Sequence, residues 1–149
     1  MFLRRVKMNK SNNIAYRTLM LNLDGKWYDM IEKGIKKEEY RVIKDHWSSR
    51  LFLSGDWKYF QQEFKHLNPT PEDVIDEFEL SAKKTRLIKK QYEKSELRLK
   101  VDKVKFVYGY TKRTMTFEIE DVVIGTGNPE WGAENGVEYY VIKLGKRID

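Results

Sequence analysis

In three segments between Val104 and Leu144 apolar side chains fall at every second position. "VKFVYGY" places Val104, Phe106, Tyr108 and Tyr110 on one face. "MTFEIEDVVIG" does the same with Met115, Phe117 and Ile119, across a tight "TKRT" connection, and "YYVIKLG" closes with Tyr140, Ile142 and Leu144. A two-residue period buries one side of a strand and wets the other, so this third of the chain reads as β-structure. An earlier segment, "TLMLNL", repeats the pattern with Leu19, Leu21 and Leu23 against Met20 and Asn22.

Between these blocks the period changes. "DGKWYDMIEKG" spaces Trp27, Met30 and Ile31 as a short helix, with Asp24 as cap and Gly34 where a left-handed C-terminal residue belongs. "KKEEYRVI" returns to strand, with Glu39 and Arg41 on one side and Tyr40 and Val42 on the other. The middle is helical. "LFLSGDWKYFQQEFKHL" predicts a shorter helix, and "NPTPEDVIDEFELSAKKTRLIKKQYEK" one long helix or two, largely solvent-facing. The second opens on Thr70 as N-cap, Pro71, Glu72 and Asp73, and ends in Lys83, Lys84, Lys89 and Lys90, in the sense the helix dipole favours. The order β-α-β, helical insertion at about 56–98, then strands predicts an α+β chain built on a small mixed β-barrel. Residues 1–17 read as a basic arm and 18–149 as one domain.

Composition limits the chemistry. With 40% hydrophobic and 13% aromatic residues the chain can bury a core. It has no cysteine, which removes disulfides, thiolate metal sites and a cysteine nucleophile. His46 and His66 lack the spacing of a metal pair, so no metal and no cofactor is expected. No apolar run is long enough for a membrane span, and "MFLRRVKMNK" lacks a signal-peptide core, so a cytoplasmic protein without a membrane partner is expected. The net charge of +6 favours an anionic partner, nucleic acid first.

"GIKKEEYR" crowds opposite charges where helix hands over to strand. Gly34, Lys36, Glu39 and Arg41 match the pattern GxKxxExR, and the chain resembles the ASCH domains, which adopt a PUA-like β-barrel. The flanking order agrees, and the loop "GNPEWGAENG" precedes the last strand, as in phage and bacterial members of that family. The resemblance covers roughly residues 18–53 and 101–147. It implies RNA or a modified nucleoside as ligand, in a basic cleft beside the motif. Some members are similar to small amidohydrolases that deacylate a modified cytidine, and others have been proposed as ribonucleases. In the amidohydrolases the motif lysine works with a threonine, where this chain has Glu39, and with a carboxylate in the loop before the final strand, for which Glu134 is the candidate and Glu130 is nearby.

Read physically, Lys36 offers a point charge, Arg41 a planar fork that pairs or stacks, and Glu39 an acceptor for amines or for Arg41. Strict alternation would set Lys36 on the opposite face from Glu39 and Arg41, so the three meet only if 35–37 form an irregular turn. Glu39–Arg41 fits two roles, a ligand contact or a bridge that ties the barrel closed. Trp131 can stack a base or plug the barrel end, and Lys112–Arg113 can touch a phosphate or merely solvate a hairpin tip. "KKTRLIKK" is a charged helix end or a phosphate track, and the insertion as a whole could serve a protein partner. "GTGNP" reads as a turn. Trp27, Tyr40, Phe106 and Phe117 read as core.

Overall fold

Leu19, Leu21 and Leu23 are buried and Met20 and Asn22 exposed in the computed structural model, which describes residues 14–67 and 76–149. They lie on strand β1 (Arg17–Leu23), followed by helix α1 (Gly25–Glu32) and β2 (Glu38–Val42). Three helices come next: α2 (Asp45–Leu51), α3 (Ser54–Leu67) and α4 (Glu77–Glu93). Strands β3 (Val101–Tyr108), β4 (Thr114–Thr126) and β5 (Glu138–Arg147) complete the chain, with a 3-10 turn at Pro129–Trp131 before β5.

The strands form one mixed sheet in the order β1-β3-β4-β5-β2, curled into a half-barrel, so the protein is a small α+β domain with a barrel-like sheet. β1 runs parallel to β3, and the other three pairs are antiparallel. β4 pairs with β3 through its first half and with β5 through the rest, and two register shifts near Ile119 mark where it bends. β1 and β2 are the two edges.

Inside the curl sit Val104, Phe106, Met115, Phe117, Ile119, Tyr140 and Ile142 beside the β1 leucines. The expected alternation thus holds on β3 and the first half of β4, except that Tyr110 lies in the β3–β4 turn, fully exposed; on β5 Tyr139 and Val141 are buried as well as Tyr140 and Ile142. On α1 Ile31 is buried as expected, but its buried companion is Tyr28, while Trp27 and Met30 are half-buried. Asp24 holds the N-cap position, but its side chain makes no capping bond. The predicted helix start at Thr70–Asp73 and the arm at 1–13 lie outside the described residues; the described α4 is capped by Asp76, which accepts from the Phe78 amide at 2.8 Å.

The helical insertion is not a solvated arm. Trp57, Phe60 and Phe64 on α3 and Ile88 and Tyr92 on α4 are buried in the same core as the sheet. Phe52 packs its ring on Trp57, Tyr92 and Tyr140, and the Tyr92 hydroxyl donates to the Val122 carbonyl at 2.6 Å. At its root the chain enters and leaves side by side: the Leu53 amide donates to the Arg98 carbonyl at 2.9 Å and the Lys100 amide to that of Leu51 at 2.8 Å. Each buried aromatic contributes on the order of 2 kcal/mol of apolar burial, far more than a surface helix would need.

Outside the curl, the loop from Gly127 to Val137 folds back over β5. It packs Ala133 on Tyr139 and Val141, with Tyr40 beside them. Only glycine fits at 127, since a Cβ there would come within 2.6 Å of the Tyr40 ring and 2.7 Å of the Ala133 Cβ.

Candidate functional site

The motif forms at the end of α1. Gly34 adopts φ +77°, and the amides of Ile35 and Lys36 both donate to the Met30 carbonyl, at 2.9 and 3.1 Å. This left-handed exit makes 35–37 irregular and turns Lys36 inward, so that it reaches the side chains of β2.

Lys36 is 1% exposed. Its Nζ donates to the Glu38 carbonyl at 2.7 Å and the Trp131 carbonyl at 2.8 Å, and lies 3.1 Å from Glu39 Oε1. Three acceptors meet the three protons of an ammonium. The rings of Tyr40 and Trp27 flank it, with centroids 4.8 and 5.5 Å away. Burial pulls the lysine below its ordinary value, and the Glu39 carboxylate works in the opposite direction.

Glu39 uses both oxygens. Oε1 also accepts from the Tyr40 amide at 3.1 Å, and Oε2 accepts from Arg41 Nη2 at 3.0 Å. Arg41 Nη2 reaches further, donating to the Asn22 carbonyl of β1 at 3.3 Å. One guanidinium therefore spans the seam between the two sheet edges. It lies 4.8 Å from the Trp47 ring of α2, and its Nε is buried without a hydrogen-bond partner among the described residues. A fifth of the Arg41 side chain stays exposed.

The loop before β5 completes the surround. Asn128 caps the 3-10 turn by accepting from the Glu130 amide, and its own amide donates to the Tyr40 hydroxyl at 2.9 Å. That hydroxyl donates to Glu38 Oε1 at 2.8 Å, and burial, more than Glu38, raises the phenol above its ordinary value. Gly132, at φ +101°, lies against the Trp27 indole. Trp27, Trp131 and Trp47 are all half-buried around the triad.

The structure thus brings together Lys36, Glu39, Arg41 and the backbone of Trp131. It leaves the other candidates apart. Glu134 is exposed; its amide donates to the Tyr139 hydroxyl at 3.1 Å, and the carboxylate that reaches Lys36 is Glu39. Glu130 is likewise exposed. Arg113 pairs with Glu32 at 2.5 Å and covers the rings of Tyr28 and Tyr108, while Lys112 is exposed in the hairpin turn. In "KKTRLIKK", Lys84 pairs with Asp45 at 2.8 Å and Lys89 with Glu138 at 3.7 Å. Trp47 and Asn22 escaped the sequence reading: neither belongs to a motif, and the seam that joins them to Arg41 exists only once the sheet has curled.

Among the described residues no group of three or more His, Cys, Asp or Glu side chains converges, and no helix is long and apolar enough to cross a membrane. No family model, no curated protein and no solved structure matches the chain.

Proposed function

We propose that this chain is a PUA-like domain of the ASCH type that binds RNA or a modified nucleotide at the seam between β1 and β2. Arg41 and Trp47 form the contact surface in this reading, and Lys36 and Glu39 are the buried frame that fixes them. The observation that carries it is the guanidinium of Arg41, anchored through Nη2 to Glu39 and Asn22 and laid against an indole while part of it stays open to solvent. A buried ion network is a poor route to stability, because desolvation costs several kcal/mol per ion. It is a good route to holding a planar fork still. Fixed forks beside aromatic faces suit phosphates and unpaired bases. The net charge of +6 supports the same partner. The cytoplasm is the compartment this reading calls for.

Fluorescence anisotropy with labelled single-stranded RNA, hairpin RNA and modified cytidines tests it. Binding should be measurable at low salt and weaken steeply as salt rises. Arg41→Lys, which keeps the charge but loses the fork, should bind at least about tenfold more weakly, the scale of a bidentate contact. Absence of binding at low salt, or an unaltered Arg41→Lys, removes the reading.

A hydrolase reading draws on the carboxylate 3.1 Å from Lys36 and on the lowered pKa of that lysine. It stands second, since a lysine acting as base must first give up one of three bonded protons. Mass spectrometry after incubation with acylated cytidine or RNA tests it, and no product from the wild-type protein ends it.

A further inference from the structure

A hollow of about 260 Å³ opens between the first residues of β1, the last turn of α2 and the start of β3. Its charged walls are Arg17, Arg50 and Lys100, Thr18 adds a hydroxyl, and no carboxylate lines it. Several cations elsewhere on the surface are matched, Arg98 with Asp56, Lys84 with Asp45 and Arg113 with Glu32. The nearest acid along the chain, Asp102, faces Lys103 at 3.4 Å. Among the described residues Arg17, Arg50 and Lys100 have no carboxylate partner. Burial, and then Arg17 and Arg50, lower the Lys100 ammonium from its ordinary value. Three like charges around one concavity are a standing repulsion, relieved by an anion.

Arg50, which lines the hollow, and Arg41 of the seam lie near the same indole ring. Arg50 lies 5.9 Å from the Trp47 centroid on the way to the hollow, and Arg41 lies 4.8 Å from it on the way to the motif. Arg50 is steadied by donating from Nη1 to the His46 carbonyl at 2.7 Å. The sequence of groups is cation, indole, cation, then two further cations. Phosphate, base, phosphate is the matching order along a single strand.

We propose that the Arg17–Arg50–Lys100 hollow holds a backbone phosphate of a single-stranded nucleic acid whose neighbouring base lies at Trp47 and Arg41. This rests on the nucleic-acid reading of the seam and adds a second subsite to it. The subsite depends on α2 and on the chain entering β3, not on the GxKxxExR residues.

The test is a length series. Uridine monophosphate, oligouridylates of two to eight nucleotides, a duplex of the same length and inorganic phosphate are titrated against the full chain. The wild type is compared with Arg17→Gln/Lys100→Gln and with Arg41→Lys. In the wild type, affinity should step up once the strand is long enough to reach the hollow. The double variant should keep mononucleotide affinity, bind oligonucleotides at least about tenfold more weakly at low salt, and show a log–log salt slope smaller by about 1.4, two cations at roughly 0.7 each. Arg17 is exposed, so Arg17→Glu repeats the measurement should the double variant fold poorly. Equal oligonucleotide affinity and slope in wild type and the Arg17→Gln/Lys100→Gln variant, with Arg41→Lys weakened, overturn the subsite while leaving the seam reading intact. So does tighter binding of the duplex, or binding of inorganic phosphate with no gain from strand length, which marks a free-anion site. If no nucleotide of any length binds the wild type, seam and subsite fall together.

Discussion

Glu39 stands 3.1 Å from the ammonium of Lys36 and holds Arg41 with its other oxygen at 3.0 Å, so one buried carboxylate balances two cations. Remove it and Lys36 is left in a dry interior, while Arg41, a fifth of it exposed, loses the anchor of its fork. Glu39→Gln should cost about 3–5 kcal/mol of folding stability, the range for breaking a buried pair. Urea unfolding measures this. Replacing Lys36, Glu39 and Arg41 together by apolar residues of similar volume should be near neutral by comparison, yet abolish ligand binding. A cost under about 1 kcal/mol for Glu39→Gln alone would mean that the network is solvated.

Tyr140 titrates against the fold in alkali. Burial raises its phenol above the ordinary value of 10.0, against a smaller opposing effect of its 2.6 Å bond to Ser48. The folded state therefore keeps a proton that the unfolded state loses. Stability from this group is complete below pH 10 and falls as pH rises above it, by about 1.4 kcal/mol per pH unit. Tyr140→Phe should flatten that part of the profile, read as the denaturant midpoint between pH 9 and 11. A profile unchanged by the substitution would place the alkaline loss in other groups.

Phe60 is 1% exposed and stacked on Trp57 at 5.1 Å. If the helices were an independent arm, truncating it would leave the sheet untouched. Instead Phe60→Ala should destabilise the whole domain by about 3–5 kcal/mol. A single unfolding transition seen both by circular dichroism and by tryptophan fluorescence checks that the loss is global.

At Gly127 the space for a side chain is already taken by Tyr40 and Ala133. Gly127→Ala should cost about 1–3 kcal/mol through overpacking. It should also shift the loop whose Trp131 carbonyl holds Lys36 at 2.8 Å. Ligand affinity should then drop more than thermal stability predicts, a comparison that calorimetry and anisotropy on one sample provide.

Strand positions were legible in the sequence because alternation reports burial directly: Leu19, Leu21, Leu23, Met115, Phe117 and Ile119 all face the core as the pattern requires. The irregular turn at 35–37 was legible only as the condition for Lys36 to meet Glu39, and Gly34 at φ +77° meets it. Helix faces were harder. Two aromatics in a row, Trp27 and Tyr28, leave the phase of a short helix undetermined until the sheet beneath it is known. β5 misled for a different reason. Its second buried face, Tyr139 and Val141, is covered by a loop, and a polar loop carries no period to announce where it lands. The lysine-rich look of the α4 tail hid Ile88 and Tyr92, both buried. Of the candidate site, Lys36, Glu39 and Arg41 came from the motif. Trp47, Asn22 and the Arg17–Arg50–Lys100 hollow came only from the fold, because each depends on strands and helices far apart in sequence.

The paired backbone at Leu51–Leu53 and Arg98–Lys100 has a consequence for how the chain can change. Because both crossing points are stapled to each other before the helices begin, growth or shortening between α3 and α4 need not disturb the register of β3. Doubling the length of such a connection costs only about 0.6 kcal/mol of closure entropy. Changes of length within the insertion are therefore cheap, while the two rungs at its base are where one deleted residue would slip a whole strand.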